Sequence, residues 1–132
     1  MGYSDNQKLE KVYTATNDAE RQGAYDDWAS DYDKDVSQFG IRLPFVAAVI
    51  IARHLGPDKG PYLDAACGTG MHIEPLSLAG YKDIIGIDIS EGMLAEAKQK
   101  EIDQGKFALS KNTLKKYQEK FDLIVDQGLK QN

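Results

Sequence analysis

The order of apolar and polar residues along the chain predicts strands that alternate with helices. A short apolar run at residues 62–63 leads into an acidic residue, and residues 84–89 are almost continuously apolar. Such a run is typical of a parallel strand that helices cover on both faces. Two weaker apolar runs, at residues 107–109 and 121–125, predict a third and a fourth strand. We therefore expect an α/β domain built around a parallel sheet.

Two helices are predicted before the first strand. In the first, four residues recur with helical spacing on one face: Tyr25, Trp28, Ala29 and Tyr32. This helix either packs its aromatic side chains on the domain or forms a lid that brings Tyr25 or Tyr32 to a bound ligand. The second helix covers residues 45–55 and follows Pro44. Its core-facing side is expected to consist of Phe45, Val49, Ala52 and Leu55.

Two further helices are predicted between the later strands. One covers residues 71–79, and His72 within it is expected to face solvent rather than to hold a ligand. Ser90 is a favourable N-cap for the next helix, and Gly105 is expected to end that helix. The first three strands are therefore joined by the helical crossovers that a parallel sheet requires.

The loop after the first strand predicts a ligand site. An acidic residue is followed there by a run of small ones: Asp64, Ala65, Ala66, Cys67, Gly68, Thr69 and Gly70. Glycines let the main chain approach a ligand closely, and the helix N-terminus beyond them favours a polar or anionic ligand. Asp88 follows about 20 residues beyond Gly68, where an acid can accept hydrogen bonds from two ribose hydroxyls.

This spacing fits two classes of ligand, a nicotinamide dinucleotide and a nucleoside such as S-adenosylmethionine. A dinucleotide fingerprint requires a third small residue three positions beyond Gly70, where the helix packs closely on the strand. Ile73 occupies that position, so the loop favours the nucleoside.

Several segments resemble class I S-adenosylmethionine-dependent methyltransferases. Residues 63–70 resemble motif I, residues 86–94 the acidic-strand motif that follows it, and residues 121–125 the fourth strand. Residues 25–36 further resemble the methyltransferase-like 27 (Williams-Beuren region) subgroup. The resemblance implies S-adenosylmethionine as cofactor and S-adenosylhomocysteine as product. It also implies a Rossmann-like parallel sheet in the order 3-2-1-4 with flanking helices, truncated before strands 5-7 of the family.

The pattern and the resemblance together predict the cofactor-binding residues: Tyr25, Tyr32, Asp64, Ala66, Cys67, Gly68, Thr69, Gly70, Asp88, Ile89, Met93 and Asp126. Adenine is expected to lie against Ile89 and Met93. Two positions depart from the family pattern. Ala66 stands where the family usually has glycine, and residues 110–112 lack the acid that often meets the adenine amino group. Cys67 is expected to be a small buried residue rather than a nucleophile.

Composition limits the partners and the compartment. The chain has 132 residues, which is enough for one small domain. We expect a flexible segment at residues 1–22 and a partial methyltransferase domain at residues 23–132. A net charge of −5 argues against nucleic acid or an anionic membrane as partner. A single cysteine fits a reducing compartment, and no targeting segment is found, so a cytoplasmic protein is expected.

Three functions from different classes remain open. The chain is a methyltransferase or its cofactor-binding half, a non-catalytic interaction module derived from one, or a nicotinamide-dependent oxidoreductase. No residue set is recognised as catalytic, and two scattered histidines give no metal site. The methyl acceptor, a small molecule or a protein, is not identified. The free edge of the fourth strand is expected to pair with another copy of the chain, with a partner or with the chain's own N-terminal segment, so self-association is one expected outcome.

Overall fold

The computed structural model describes residues 6–40 and 42–100 in full and only the backbone of residues 105–109 and 123–126. The predictions for residues 110–112 and for the residues after 126 lie outside this described part. The described elements are α1 (Gln7–Thr14), α2 (Asp18–Gln38), α3 (Leu43–His54), β1 (Tyr62–Ala65), α4 (Ile73–Leu78), β2 (Ile84–Asp88), α5 (Glu91–Gln99), β3 (Gly105–Leu109) and β4 (Leu123–Asp126).

The described strands form one parallel sheet in the order β3-β2-β1-β4. Strand β1 lies at its centre, where Leu63 is in register with Ile85 on one side and Ile124 on the other. The predicted α/β class with a parallel sheet is confirmed. Because Ala65 is level with Ile87, the loops after β1 and β2 leave the sheet at the same edge.

A compact apolar cluster fills the space between the sheet and the helices. Its members are Tyr62, Cys67, Ile73, Leu76, Tyr81, Ile84 and Leu94, and Ala48, Ile51 and Leu55 pack against them. The rings of Tyr62 and Tyr81 meet edge to face with centroids 5.4 Å apart, a favourable aromatic geometry. Both phenols donate to backbone carbonyls of the loop before β1, so neither buried hydroxyl is left unpaired.

Helix α3 packs with a different face from the one predicted. Phe45 and Val49 are 59% and 62% exposed, and Ala52 is also exposed. The face that meets the core instead carries Ala48 and Ile51, and of the predicted residues only Leu55 joins it. The prediction was wrong because almost every residue of this helix is apolar, so helical spacing alone does not select a face.

Helix α2 is longer than the sequence predicts and begins at Asp18, so the predicted boundary between residues 22 and 23 falls inside it. Its buried residues, Ala24, Trp28, Ala29 and Val36, give it an inward side, and its closest neighbour is α5. Helix α1 lies along α2 without burying any residue. Polar contacts join the two helices, including the ion pairs of Lys8 with Asp31 and of Lys11 with Asp27. The flexibility of residues 1–22 stays a prediction.

Two further boundaries differ from the predicted ones. Helix α4 begins only at Ile73, because residues 66–72 form the loop and turn that precede it. Gly105 does not end a helix, since α5 stops at Gln99 and Gly105 is the first residue of β3.

None of the described helices is by itself long and apolar enough to cross a bilayer. Only α2 and α3 taken together, across a sharp bend, reach that length and composition.

Candidate functional site

The loop after β1 and the end of β2 are joined by the carboxylate of Asp88. Its Oδ2 accepts a hydrogen bond of 2.9 Å from the backbone N–H of Gly68, and its Oδ1 accepts one of 2.8 Å from Ser90. The N–H of Cys67 also donates to the carbonyl of Ile87 at 3.0 Å. The two predicted halves of the site, the glycine loop and the acid, therefore lie in direct contact.

The backbone of the loop explains its run of small residues. Ala66, Gly68 and Gly70 all have positive φ values, of 61°, 55° and 80°. A Cβ placed on Gly68 would meet no atom within 4 Å, so the space over this residue is open. A ligand can therefore approach the main chain at Gly68, as the prediction requires.

The environment of Asp88 is partly apolar and partly hydrogen-bonded. Burial raises the pKa of the Asp88 carboxyl, and the charge of Asp26 raises it further. Hydrogen bonds from backbone N–H groups, first those of Ser90 and Gly68, lower this pKa. Burial is also the main cause of the raised pKa of Tyr25, and the charge of Asp88 adds to it. Tyr25 directly precedes Asp26, whose carboxylate accepts from the hydroxyl of Ser90 next to Asp88, so α2 brings this predicted residue towards the site.

Cys67 does not have the environment of a nucleophile. Its side chain is buried, and burial is the main cause of a strongly raised pKa of the thiol, with the charges of Asp64 and Asp88 adding to it. The thiol is therefore protonated at neutral pH, whereas a reactive cysteine is a thiolate. This agrees with the expectation of a small buried residue.

The structure places the remaining predicted residues in different settings. Ile89 is half-buried at the end of β2, whereas Met93 in α5 is only 2% exposed. Tyr32 packs edge to face on Trp28, with ring centroids 4.8 Å apart. Asp64 is buried inside β1. Asp126, described by its backbone alone, is level with Ala65.

His72 is buried, so the expectation of a solvent-facing histidine was wrong. Only 7% of the residue is exposed, and its Nδ1 has no hydrogen-bond partner among the described atoms. Burial lowers the pKa of this imidazole, which therefore stays neutral at neutral pH. The residue lies in the turn just before α4, where tertiary packing rather than helix position sets its exposure.

Three polar residues connect α2 and α5 to the site: Asp26, Asp33 and Lys100. The sequence analysis did not predict them as site residues. Asp26 accepts hydrogen bonds from the hydroxyl of Ser90 and from the N–H of Gly92. Asp33 accepts from the hydroxyl of Thr69 and pairs with Lys100. Asp26 and Asp33 directly follow Tyr25 and Tyr32 and share their seven-residue spacing. That repeat on one helix face was the signal that could have found them.

Comparison with known proteins gives one family and a consistent set of relatives. A family model described as a methyltransferase domain matches residues 63–131, more than half of the chain. Methyltransferase-like protein 27 of Homo sapiens is 38% identical over 81 residues, which cover 60% of this chain and 33% of the human protein.

Two solved complexes of DhpI, one with SAH and one with SAM and HEP, share 27% identity with this chain. Their TM-scores are 0.51 and 0.54, and they cover 67% and 74% of the chain. The matches extend over 42% and 44% of DhpI. The chain thus spans between a third and less than half of the length of these relatives.

Proposed function

Since the chain belongs to the methyltransferase domain family, we propose that it binds S-adenosylmethionine where β1 and β2 end and presents the methyl group to an acceptor. The observation that carries this proposal is the contact between the Asp88 carboxylate and the N–H of Gly68, at 2.9 Å. It holds the acid beside a loop with open space above it. The SAM and SAH complexes of DhpI, a relative of similar fold, support the choice of cofactor.

The described residues fit this cofactor. A carboxylate offers about four lone-pair sites, and the backbone donors Gly68 and Ser90 use one on each oxygen of Asp88. The other lone pairs of this carboxylate can accept hydrogen bonds from the ribose of the cofactor. The amino-acid part of the cofactor lies over residues 68–70, where a glycine at position 68 leaves room for it. Adenine contacts the half-buried Ile89, and contact with Met93 requires a shift of that buried side chain.

The cofactor supplies an electrophilic methyl group, and the chain contributes binding and orientation. Holding two reactants in line removes much of the entropic barrier to a transfer. Tyr25 directly precedes Asp26, through which α2 contacts the turn after β2, so we place Tyr25 beside the bound cofactor. Asp126 is level with Ala65, where β1 ends, so we place it beside the cofactor as well.

The match to less than half of DhpI supports a finer assignment of the chain. It corresponds to the cofactor-binding half of a class I methyltransferase, and the domain includes the whole of α2 from Asp18 instead of beginning at residue 23. The acceptor is a small molecule or a protein, not nucleic acid or membrane, and the compartment is the cytoplasm. The alternative that a methyl-transfer assay tests is a non-catalytic interaction module that keeps the cofactor fold.

Calorimetric titration of the chain with S-adenosylmethionine, S-adenosylhomocysteine and NAD tests the proposal. We expect the first two ligands to bind and NAD not to bind. Replacement of Asp88 by Ala should weaken binding by about 1–3 kcal/mol, because ribose hydroxyls lose their acceptor. Asp27→Ala is the control, since it removes an exposed acid of α2 whose carboxylate pairs with Lys11 on α1.

Unchanged affinity in Asp88→Ala would contradict the assignment of the site, and preferential binding of NAD would contradict the choice of cofactor. A methyl-transfer assay on the same chain then separates the enzyme from the interaction module. Binding without transfer to any small-molecule or protein acceptor would favour the module.

A further inference from the structure

The side chain of Asp26 joins helix α2 to the turn that follows β2 through hydrogen bonds. Its Oδ1 accepts from the hydroxyl of Ser90 at 2.5 Å and from the backbone N–H of Gly92 at 2.9 Å. Ser90 is fully buried, so this carboxylate supplies a partner for a hydroxyl that water does not reach. The contact joins residues more than sixty positions apart in the sequence.

Ser90 transmits this contact to Asp88. Its hydroxyl has one proton, which it donates to Asp26, and its oxygen accepts from the N–H of Met93 at 3.1 Å. Its own backbone N–H donates to Asp88 at 2.8 Å. A change at Asp26 therefore reaches, through a single residue, both the N-cap of α5 and the acid assigned to the ribose.

The packing at this point is close enough to make the distance between α2 and α5 specific. A Cβ placed on Gly92 would lie 3.0 Å from the Cα and 3.1 Å from the carbonyl oxygen of Asp26. Glycine at position 92 is thus what lets α2 come near enough for Asp26 to reach its donors. Seven residues further along α2, Asp33 makes a second attachment, to Thr69 in the glycine loop.

We propose that Asp26 is a positioning residue for cofactor binding, which holds the turn at residues 88–92 in its binding geometry and fixes α2 across the site. The inference rests on the proposed function. In this proposal α2 lies outside the sheet and fixes the orientation of Asp88 through Asp26. In this scheme Asp26 acts through Ser90 and Gly92, which donate to its Oδ1, and not through contact with the cofactor.

The experiment compares four variants with the unmodified chain in calorimetric titrations with S-adenosylhomocysteine. Asp26→Ala should raise the dissociation constant about tenfold, as expected when hydrogen bonds to a charged group are lost. Asp26→Asn keeps an oxygen that accepts from both donors and should restore the constant to within about threefold of the unmodified value. Asp27→Ala is the matched control, because Asp27 is exposed and contacts only Lys11 on α1 among the described residues.

Gly92→Ala tests the same attachment from the opposite side. Alanine is the better helix former, so helix propensity favours this variant. Its Cβ nevertheless pushes α2 away, and affinity should fall as in Asp26→Ala. In both variants the amides of residues 88–92 should exchange faster in the absence of ligand.

Equal affinity of Asp26→Ala and the unmodified chain would overturn this inference and leave the proposed function intact. So would a loss of affinity in Asp26→Asn as large as in Asp26→Ala, since the acceptor oxygen would then be irrelevant. Failure of the unmodified chain to bind S-adenosylhomocysteine would overturn the proposed function, and this inference with it.

Discussion

At the scale of single residues, Ala66 shows how the loop tolerates a departure from the family pattern. Its φ of 61° lies in the left-handed region, where a Cβ comes too close to the following carbonyl oxygen. Glycine avoids this strain, which is the physical reason for a glycine at this position in related proteins. The loop keeps its conformation although the backbone of Ala66 is strained in it.

Replacement of Ala66 by Gly should therefore stabilise the protein. The left-handed conformation costs alanine about 1–2 kcal/mol, and the greater freedom of glycine in the unfolded chain returns about 0.5–1 kcal/mol of this. We expect a net gain of about 0.5–1 kcal/mol in the free energy of unfolding, measured by urea denaturation.

The neighbouring Ala65 provides the control, because it is fully buried and has no positive φ. Ala65→Gly should destabilise the protein by at least about 0.5–1 kcal/mol. A loss of stability in both variants would show that Ala66 is not strained.

The sequence predicted those site residues whose role depends on local spacing. Gly68 and Asp88 were found because a glycine loop and an acid beyond the next strand have a fixed separation in parallel sheets. Asp26 and His72 were not, because their roles depend on which helix packs against which strand end. The burial of His72 and the hydrogen bond from Ser90 to Asp26 depend on tertiary packing. The repeat on α2 points to Asp26 but does not identify its partner.

At the scale of elements, strands were predicted better than helix faces. The register of β1 and β2 follows from short apolar runs that have to be buried on both sides. Helix α3 is apolar on several sides, so its spacing fits more than one orientation. In the observed orientation α3 leads into the loop before β1, where the carbonyls of Leu55 and Gly56 accept from the phenols of Tyr81 and Tyr62.

Two adjacent isoleucines test the orientation of α3. Ile51 packs against the core cluster, whereas Ile50 is 54% exposed. Ile51→Ala should lower the free energy of unfolding by about 1–3 kcal/mol, less than for a fully buried isoleucine. Ile50→Ala should change it by less than about 0.5 kcal/mol. Chemical denaturation of the two variants measures both, and a larger effect at Ile50 would contradict the observed packing.

At the scale of the whole molecule, the described sheet ends in β4. This strand pairs with β1 along one side, and no described residue pairs with its other side. An open strand edge presents N–H and C=O groups that another chain can bind. The exposed apolar residues of α3 add a second surface without cover among the described residues. Both features favour association over an isolated monomer.

We therefore expect the chain to self-associate through the free edge of β4. Sedimentation velocity should show the average mass rising with protein concentration, because pairing of this edge is bimolecular. Amide exchange at residues 123–126 should slow over the same range of concentration, as new hydrogen bonds protect the outward N–H groups. Strand β1 is the internal control, since it is paired on both sides and its exchange should not depend on concentration. A monomer at the highest concentration, with residues 123–126 already protected, would contradict the prediction and indicate that another part of the chain covers the edge.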